Sequence, residues 1–130
     1  TFEDPAFGVL RGEEAKNMWR MLCQTQRGKE FKVITSNIEY TPEAGKARWE
    51  AFYTFSKTGR KVHNIIYATF QFKDGKIIHH VDRFNLYKWS KQAMGLKGIL
   101  VGWTSFFRKK LNNQTRFLLS KFQKKQIKNS

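Results

Sequence analysis

Between Lys61 and Leu86 the chain reads KVHNIIYATFQFKDGKIIHHVDRFNL, two runs of strand-forming residues joined by Asp74-Gly75. Asp-Gly between such runs is a strong hairpin signal, because both central turn positions need positive φ. A two-residue loop sets Lys73 against Lys76 and, carried along unbroken, Thr69 against His80, Tyr67 against Asp82 and Ile65 against Phe84. Alternation then sorts the hairpin into two faces. One carries His63, Ile65, Tyr67, Thr69, Ile78, His80, Asp82, Phe84 and Leu86. The other, with Val62, Asn64, Ile66, Ala68, Phe70, Phe72, Ile77, His79, Val81 and Arg83, is mostly apolar and reads as the packing surface. The first face mixes aromatic rings with a histidine and a carboxylate, as a ligand pocket does.

Outward from the hairpin, Arg48 to Ser56 reads as a strand, with Trp49, Ala51, Tyr53 and Phe55 on one face. Phe31 to Tyr40 reads as another, and Thr41 to Lys46 as the loop between them. Gly12 to Gln24 has helical spacing at Ala15, Met18, Trp19 and Leu22, with Glu13 and Glu14 at its positive end. Thr1 to Leu10 is a turn-rich opening around Asp4-Pro5. After Leu86 the period becomes helical. A short helix, Trp89 to Met94, stops at Gly95. A long one from about Thr104 to Lys125 carries Phe107, Leu111, Leu118 and Phe122 as its apolar stripe. One helix, four consecutive antiparallel strands and two further helices describe an α+β domain, its helices covering one face of a curved sheet.

The chain has 130 residues, 12 of them Phe, enough for one domain with a packed core. The run Gly98 to Trp103 is too short to span a bilayer. No basic, apolar leader opens the sequence, so a cytoplasmic protein is expected. The single Cys23 cannot form an internal disulfide and falls where a buried thiol is expected. The net charge is +15, and every acidic residue lies at or before Asp82. The basic excess therefore gathers in the C-terminal helix, whose plain reading is a solvated face. An anionic surface or nucleic acid is the alternative partner for it.

A resemblance emerges from the ordered set DPAFG, TFSKTGRKVHN, ATFQFKDGKI, HHVDRFNLYKWSKQAMG and the Gly98–Trp103 run. Together they resemble the SnoaL-like branch of the nuclear transport factor 2-like superfamily, over essentially the whole chain. The resemblance implies a cone-shaped fold, a bent antiparallel sheet wrapping helices around a pocket. It also implies pairing as a homodimer through the outer sheet face. The superfamily holds isomerases, cyclases, hydrolases and dehydratases beside non-catalytic binding modules, so the site must decide the function. The long first helix that usually closes the cone has no counterpart in this sequence, so residues are missing before Thr1 or another segment fills the gap. Relatives often carry Asp seven residues before the helix Gln, where this chain has Asn85, which cannot transfer a proton.

Asp82 is the acid–base candidate, since a carboxylate on an aromatic face is desolvated. Tyr67, read as its cross-strand neighbour, would donate to a substrate oxygen or to Asp82. His80 is the alternative base. The plainer reading pairs Asp82 with Arg60, Arg83 or another basic residue to tie the sheet to a helix. Trp49, Tyr53, His63, Phe84 and Asn85 are candidates for the ligand-binding wall. So are Trp89, Trp103, Met18 and Trp19, although such aromatics more often belong to the core. His63, His79 and His80 do not share one face and no Cys or Glu completes a set, so neither metal nor cofactor is expected. The sequence points to a protein for a small, apolar, oxygenated ligand, with an isomerase-, lyase-, cyclase- or hydrolase-like acid–base reaction. A non-catalytic binding or dimeric interaction module is the other reading.

Overall fold

The computed structural model describes residues 1–95 and 105–128. Its elements are β1 (Phe2–Asp4), β2 (Gly8–Leu10), α1 (Glu13–Thr25), β3 (Phe31–Tyr40), β4 (Ala44–Phe55), β5 (Arg60–Lys73), β6 (Lys76–Arg83), α2 (Leu86–Met94) and α3 (Ser105–Lys128). The strands form one curved, open sheet in the order β2-β1-β6-β5-β4-β3. Every pairing is antiparallel except β1 with β6, which is parallel. The α+β expectation holds, with two short strands where the sequence read only turns. Among the described residues no helix is long and apolar enough to cross a membrane.

The Asp74-Gly75 turn forms as its residues dictate. Its φ angles are 53° at Asp74 and 74° at Gly75. Lys73 faces Lys76 and Phe72 faces Ile77. The register then shifts: Gln71 faces His79, Phe70 faces His80 and Ala68 faces Asp82. The pairing steps over Ile78, a β-bulge that places one extra residue in β6. β4 also begins earlier than its sequence pattern, because Thr41 closes a tight turn onto Ala44 and Gly45 already pairs with Phe70 and Tyr40. The backbone passes close to a ring there: a Cβ on Gly45 would stand 3.1 Å from Phe72, which would have to shift by a few tenths of an ångström.

Two apolar clusters hold the helices to the sheet. In the first, Phe2, Phe7 and Leu10 from the opening segment pack with Met18 of α1 and Leu119 of α3. In the second, Val62 of β5 packs with Leu86, Trp89 and Ala93 of α2, backed by Tyr53, Phe84 and Leu111. Burying each large side chain of this kind stabilises the fold by about 1.5–3 kcal/mol. The α2 helix starts where the Asn85 side chain accepts the Lys88 N–H at 3.0 Å, the usual role of a capping Asn. It ends at Gly95, where φ is 67°.

Two expectations about helix faces are corrected. Cys23 is exposed, because α1 turns Met18 into the core with Ala15, Met21 and Leu22 beside it, and Cys23 follows Leu22 out of that arc. On α3 the buried residue is Leu119 at 2% exposure, whereas Leu118 is 43% exposed. Leu111 and Phe122 face the protein as expected, the Phe107 side chain lies outside the described residues, and Leu119 takes the place of Leu118 because Asn112, Thr115 and Arg116 also grip backbone carbonyls of the opening segment. Replacing Leu119 by Ala should cost about 2–5 kcal/mol in urea unfolding. Leu118→Ala should stay within about 0.5 kcal/mol. Equal losses from the two would contradict this helix phase.

Candidate functional site

The bulge at Ile78 decides which side chains meet. In β5, Val62, Asn64 and Ala68 are buried while Tyr67 is 58% exposed, so even-numbered residues face the helices. Past the bulge Phe70 pairs with His80 and Ala68 with Asp82, so His80 and Asp82 also face inward. Tyr67 does not. It faces outward opposite Arg83, beside Arg48, whose guanidinium it helps to hold more firmly protonated. The juxtaposition of Tyr67 with Asp82 expected from an unbroken hairpin is therefore corrected.

His80 sits in an aromatic cage, with rings both stacked on it and edge-on to it. The Phe70 ring lies 4.5 Å from it, and Phe2 meets it edge-on at 5.0 Å. Trp19 stacks at 5.8 Å and Trp49 at 6.1 Å. Nε2 of His80 lies 2.7 Å from Oδ1 of Asp82, and both side chains are largely withdrawn from solvent. Neither arginine considered from the sequence is the partner of Asp82. Arg83 lies on the outer face, and Arg60 donates through Nε to the Gln92 carbonyl at 2.8 Å. Trp49 brings a further unusual group: its indole N–H is buried and, among the described residues, has no hydrogen-bond partner. Buried donors are rarely left so.

A second carboxylate joins the pair, and the sequence reading had passed over it as a turn residue. Phe2 and Glu3 of β1 run beside His80 and Val81, so the parallel register carries Asp4 next to Asp82. Asp4 Oδ1 accepts the backbone N–H groups of Ala6 and Phe7 at 3.0 and 2.6 Å. Burial nevertheless pushes its pKa up to about 6. The charge of Asp82 adds to the rise, while the two N–H donors and His80 oppose it, the usual contest between desolvation and bonding to the charged form. The nearby Tyr53 hydroxyl is pushed up too, chiefly by burial, with Asp4 adding to it against the hydrogen bond from Trp89 Nε1 at 2.7 Å. The signal for Asp4 was the Asp-Pro turn between Phe2 and Phe7. It could not be read as a site without knowing that β1 pairs with β6.

The remaining candidates disperse. Trp49 and Trp19 belong to the cage, whereas Met18 is fully buried in the first apolar cluster. Tyr53, Phe84 and Trp89 gather at the second cluster. Asn85 is occupied as the α2 cap. His63 lies on the outer face, stacked on Phe52 and 3.1 Å from Glu50, whose carboxyl it holds below the usual range. Trp103 lies outside the described residues. Among the described residues no three His, Cys, Asp or Glu side chains gather closely enough to hold a metal ion. An open groove of about 610 Å³ adjoins the cage only at Phe70 and is otherwise lined by residues outside it, Tyr40, Lys46, Thr69, Gln71 and His79 among them. None of the catalytic or ligand-wall candidates read from the sequence lines it.

No family model and no curated protein matches the chain. Solved structures do. A candidate SnoaL-like polyketide cyclase from Jannaschia sp. CCS1 superposes with a TM-score of 0.59 at 12% identity, over 73% of this chain and 69% of its own. A nuclear transport factor 2-like protein of unknown function from Cytophaga hutchinsonii gives 0.54 at 10% identity, over 64% and 72%. The chain has the SnoaL-like, nuclear transport factor 2-like fold. An LEH-like epoxide hydrolase of M. tuberculosis gives 0.52 at 21% identity, over 75% of this chain and 69% of that one. At these identities the likeness is one of fold. In this chain the concave face of the sheet holds the His80–Asp82 pair and Asp4.

A raised carboxyl pKa makes stability depend on pH with a definite sign. Asp4 titrates near 6 in the folded chain and near 3.8 unfolded, so folding is undermined as pH rises between the two and stays weakened above. The displacement corresponds to about 3 kcal/mol. Asp4→Asn keeps an oxygen for the Ala6 and Phe7 N–H groups and removes the buried charge. In urea unfolding it should be more stable than the parent by up to about 3 kcal/mol at pH 8, with the gap closing below pH 4. A gap independent of pH would mean that Asp4 is not desolvated.

Proposed function

We propose that the cage binds a small, apolar, oxygenated molecule and that His80, Asp82 and Asp4 carry out acid–base chemistry on it. The observation that carries this reading is the His80–Asp82 pair, bonded at 2.7 Å beneath aromatic rings. With Nε2 turned to Asp82, Nδ1 is the nitrogen left to exchange a proton, and Asp82 fixes the orientation of the ring. Asp4, with its pKa near 6, supplies a protonated carboxyl beside an ionisable base, the division of roles that acid–base catalysis needs. The orphan indole N–H of Trp49 favours an oxygen acceptor on the ligand. The reaction class is proton transfer next to a carbonyl or opening of an oxygen ring by water, the latter in keeping with an epoxide hydrolase among the fold neighbours.

A second reading has its own observation. The rings of Phe2, Trp19, Trp49 and Phe70 crowd His80, and the open groove shares only Phe70 with them, which favours a non-catalytic binding or interaction module of the same fold. Exposed Ile34, Ile65 and Tyr67 around the Arg48–Glu50–His63 network suit a homodimer through the outer sheet face.

A panel of apolar ketones and epoxides separates the two, with indole fluorescence reporting binding and deuterium exchange or diol formation reporting turnover. Catalysis predicts that Asp82→Asn and His80→Gln each lower kcat by roughly 10²–10⁴-fold while binding stays within a few-fold. If Asp4 is the acid, kcat falls as pH rises through about 6. Tight binding with no turnover by the parent chain would leave the binding module.

A further inference from the structure

The helix α3 is basic in a way that its structural role does not require. Its sequence SFFRKKLNNQTRFLLSKFQKKQIK contains eight Lys and Arg residues and no Asp or Glu. Cations near a helix C-terminus are favoured by the dipole, which accounts for Lys124 and Lys125. Arg108, Lys109 and Lys110 lie at the opposite end, where the same dipole disfavours them. Lys121 also has Lys124 and Lys125 three and four residues on, like-charge spacings that destabilise an isolated helix.

These charges are not balanced within the described chain. Among the described residues the ion pairs lie on α1 and on the sheet, and none reaches α3. Arg116 differs from the lysines in serving the fold, bonding the carbonyls of Phe7 and Val9. Leu111, Asn112, Thr115, Leu119 and Phe122 turn toward the protein. Directly opposite, Lys110, Gln114, Phe117, Lys121 and Lys124 are all exposed. They follow at intervals of four, three, four and three residues, the spacing of neighbours on one helix face. They form one ridge about 21 Å long, flanked by Lys109 and Lys125. Phe117 sits in its middle, 61% exposed. The Lys121 ammonium lies 5.4 Å from its ring centroid, within cation–π range.

We propose that this ridge binds the phosphate backbone of single-stranded nucleic acid, with an unstacked base resting on Phe117. The charge selects a polyanion. The exposed ring selects a single strand, because a base in a duplex has no free face to offer. Lysines supply point charges rather than a planar fork, so the contacts read backbone and not sequence. An anionic bilayer fits less well. A helix lying in a membrane interface sinks its apolar stripe into the lipid, and here Leu111, Leu119 and Phe122 are turned into the protein.

The test is fluorescence anisotropy of the full chain with a fluorescein-labelled 20-mer of thymidine, repeated with the same strand in a duplex. Three to five phosphate contacts predict a slope of log K against log salt of about −2 to −3.5, hence at least a roughly hundredfold loss between 25 and 250 mM NaCl. The triple variant Lys110→Glu, Lys121→Glu, Lys124→Glu should bind at least tenfold more weakly with its circular dichroism and melting midpoint retained. Phe117→Ala should lose several-fold affinity at an unchanged salt slope, since it removes stacking and no charge. Absence of binding at the lower salt overturns the proposal. So does undiminished binding by the folded triple variant, or tighter binding to the duplex. Binding to phosphatidylserine vesicles in preference to the oligonucleotide reassigns the ridge to lipid and overturns it equally.

Discussion

One extra residue in β6 determines what this protein can present to a ligand. Because a strand alternates its side chains with a period of two, the bulge at Ile78 exchanges the two faces of everything beyond it relative to β5. His80 and Asp82 come to lie over Phe70 and Ala68 on the concave face, and Tyr67 is left outside. Without the bulge, the same turn would put His80 and Asp82 on the outward face with Tyr67, where no cage forms. The turn residues set where the hairpin closes. The bulge sets which of its side chains reach the concave face.

Placing two carboxylates and an imidazole under aromatic rings runs against the preference of charge for water, and the surrounding bonds show how the strain is divided. Asp82 is bonded to His80, a neighbour on its own strand. Asp4 accepts two backbone N–H groups. They do not offset its desolvation, so its pKa rises to about 6. Two carboxyls side by side thus have different company: one shares its site with an imidazole, and the other is driven toward its neutral form by burial. That asymmetry is the chemical content of the site, and it comes from β1 being inserted in parallel beside β6.

The parts legible in the sequence were those governed by local rules. Asp74-Gly75 announced the hairpin because positive φ at both positions is a local demand, and Phe31–Tyr40 announced β3 through Phe31, Val33, Ile34, Thr35, Ile38 and Tyr40, all strand-forming residue types. The α+β class and the SnoaL-like likeness followed from the order of such pieces. What escaped depends on contacts far apart in the chain. Strands β1 and β2 are three residues each, too short for any periodicity, and exist through their partners. A bulge has no composition of its own here, since Ile77 and Ile78 satisfy either register. Leu118 and Leu119 are equivalent by composition, and only the polar grip of Asn112, Thr115 and Arg116 on the opening segment chooses between them. Asp82 and His80 were recognisable as chemistry-bearing residues. Their relation to Asp4 was not, because only the sheet brings the opening segment beside the second half of the hairpin.

The same grip ties α3 to the site it does not touch. Asn112 donates to the Pro5 carbonyl at 2.9 Å, Thr115 to that of Ala6 at 2.8 Å, and Arg116 to that of Phe7 at 3.1 Å. Those three residues form the turn that follows Asp4. Gly8 closes it with a positive φ of 74°, and a Cβ there would stand 2.8 Å from Asn112 Oδ1. The helix therefore fixes the backbone whose N–H groups bond Asp4, and through it the separation of the two carboxyls. A helix committed on one side to this positioning can vary its opposite side without disturbing the site. That separation of faces is what permits a ridge of lysines on the outside of a domain whose concave surface carries the aromatic cage.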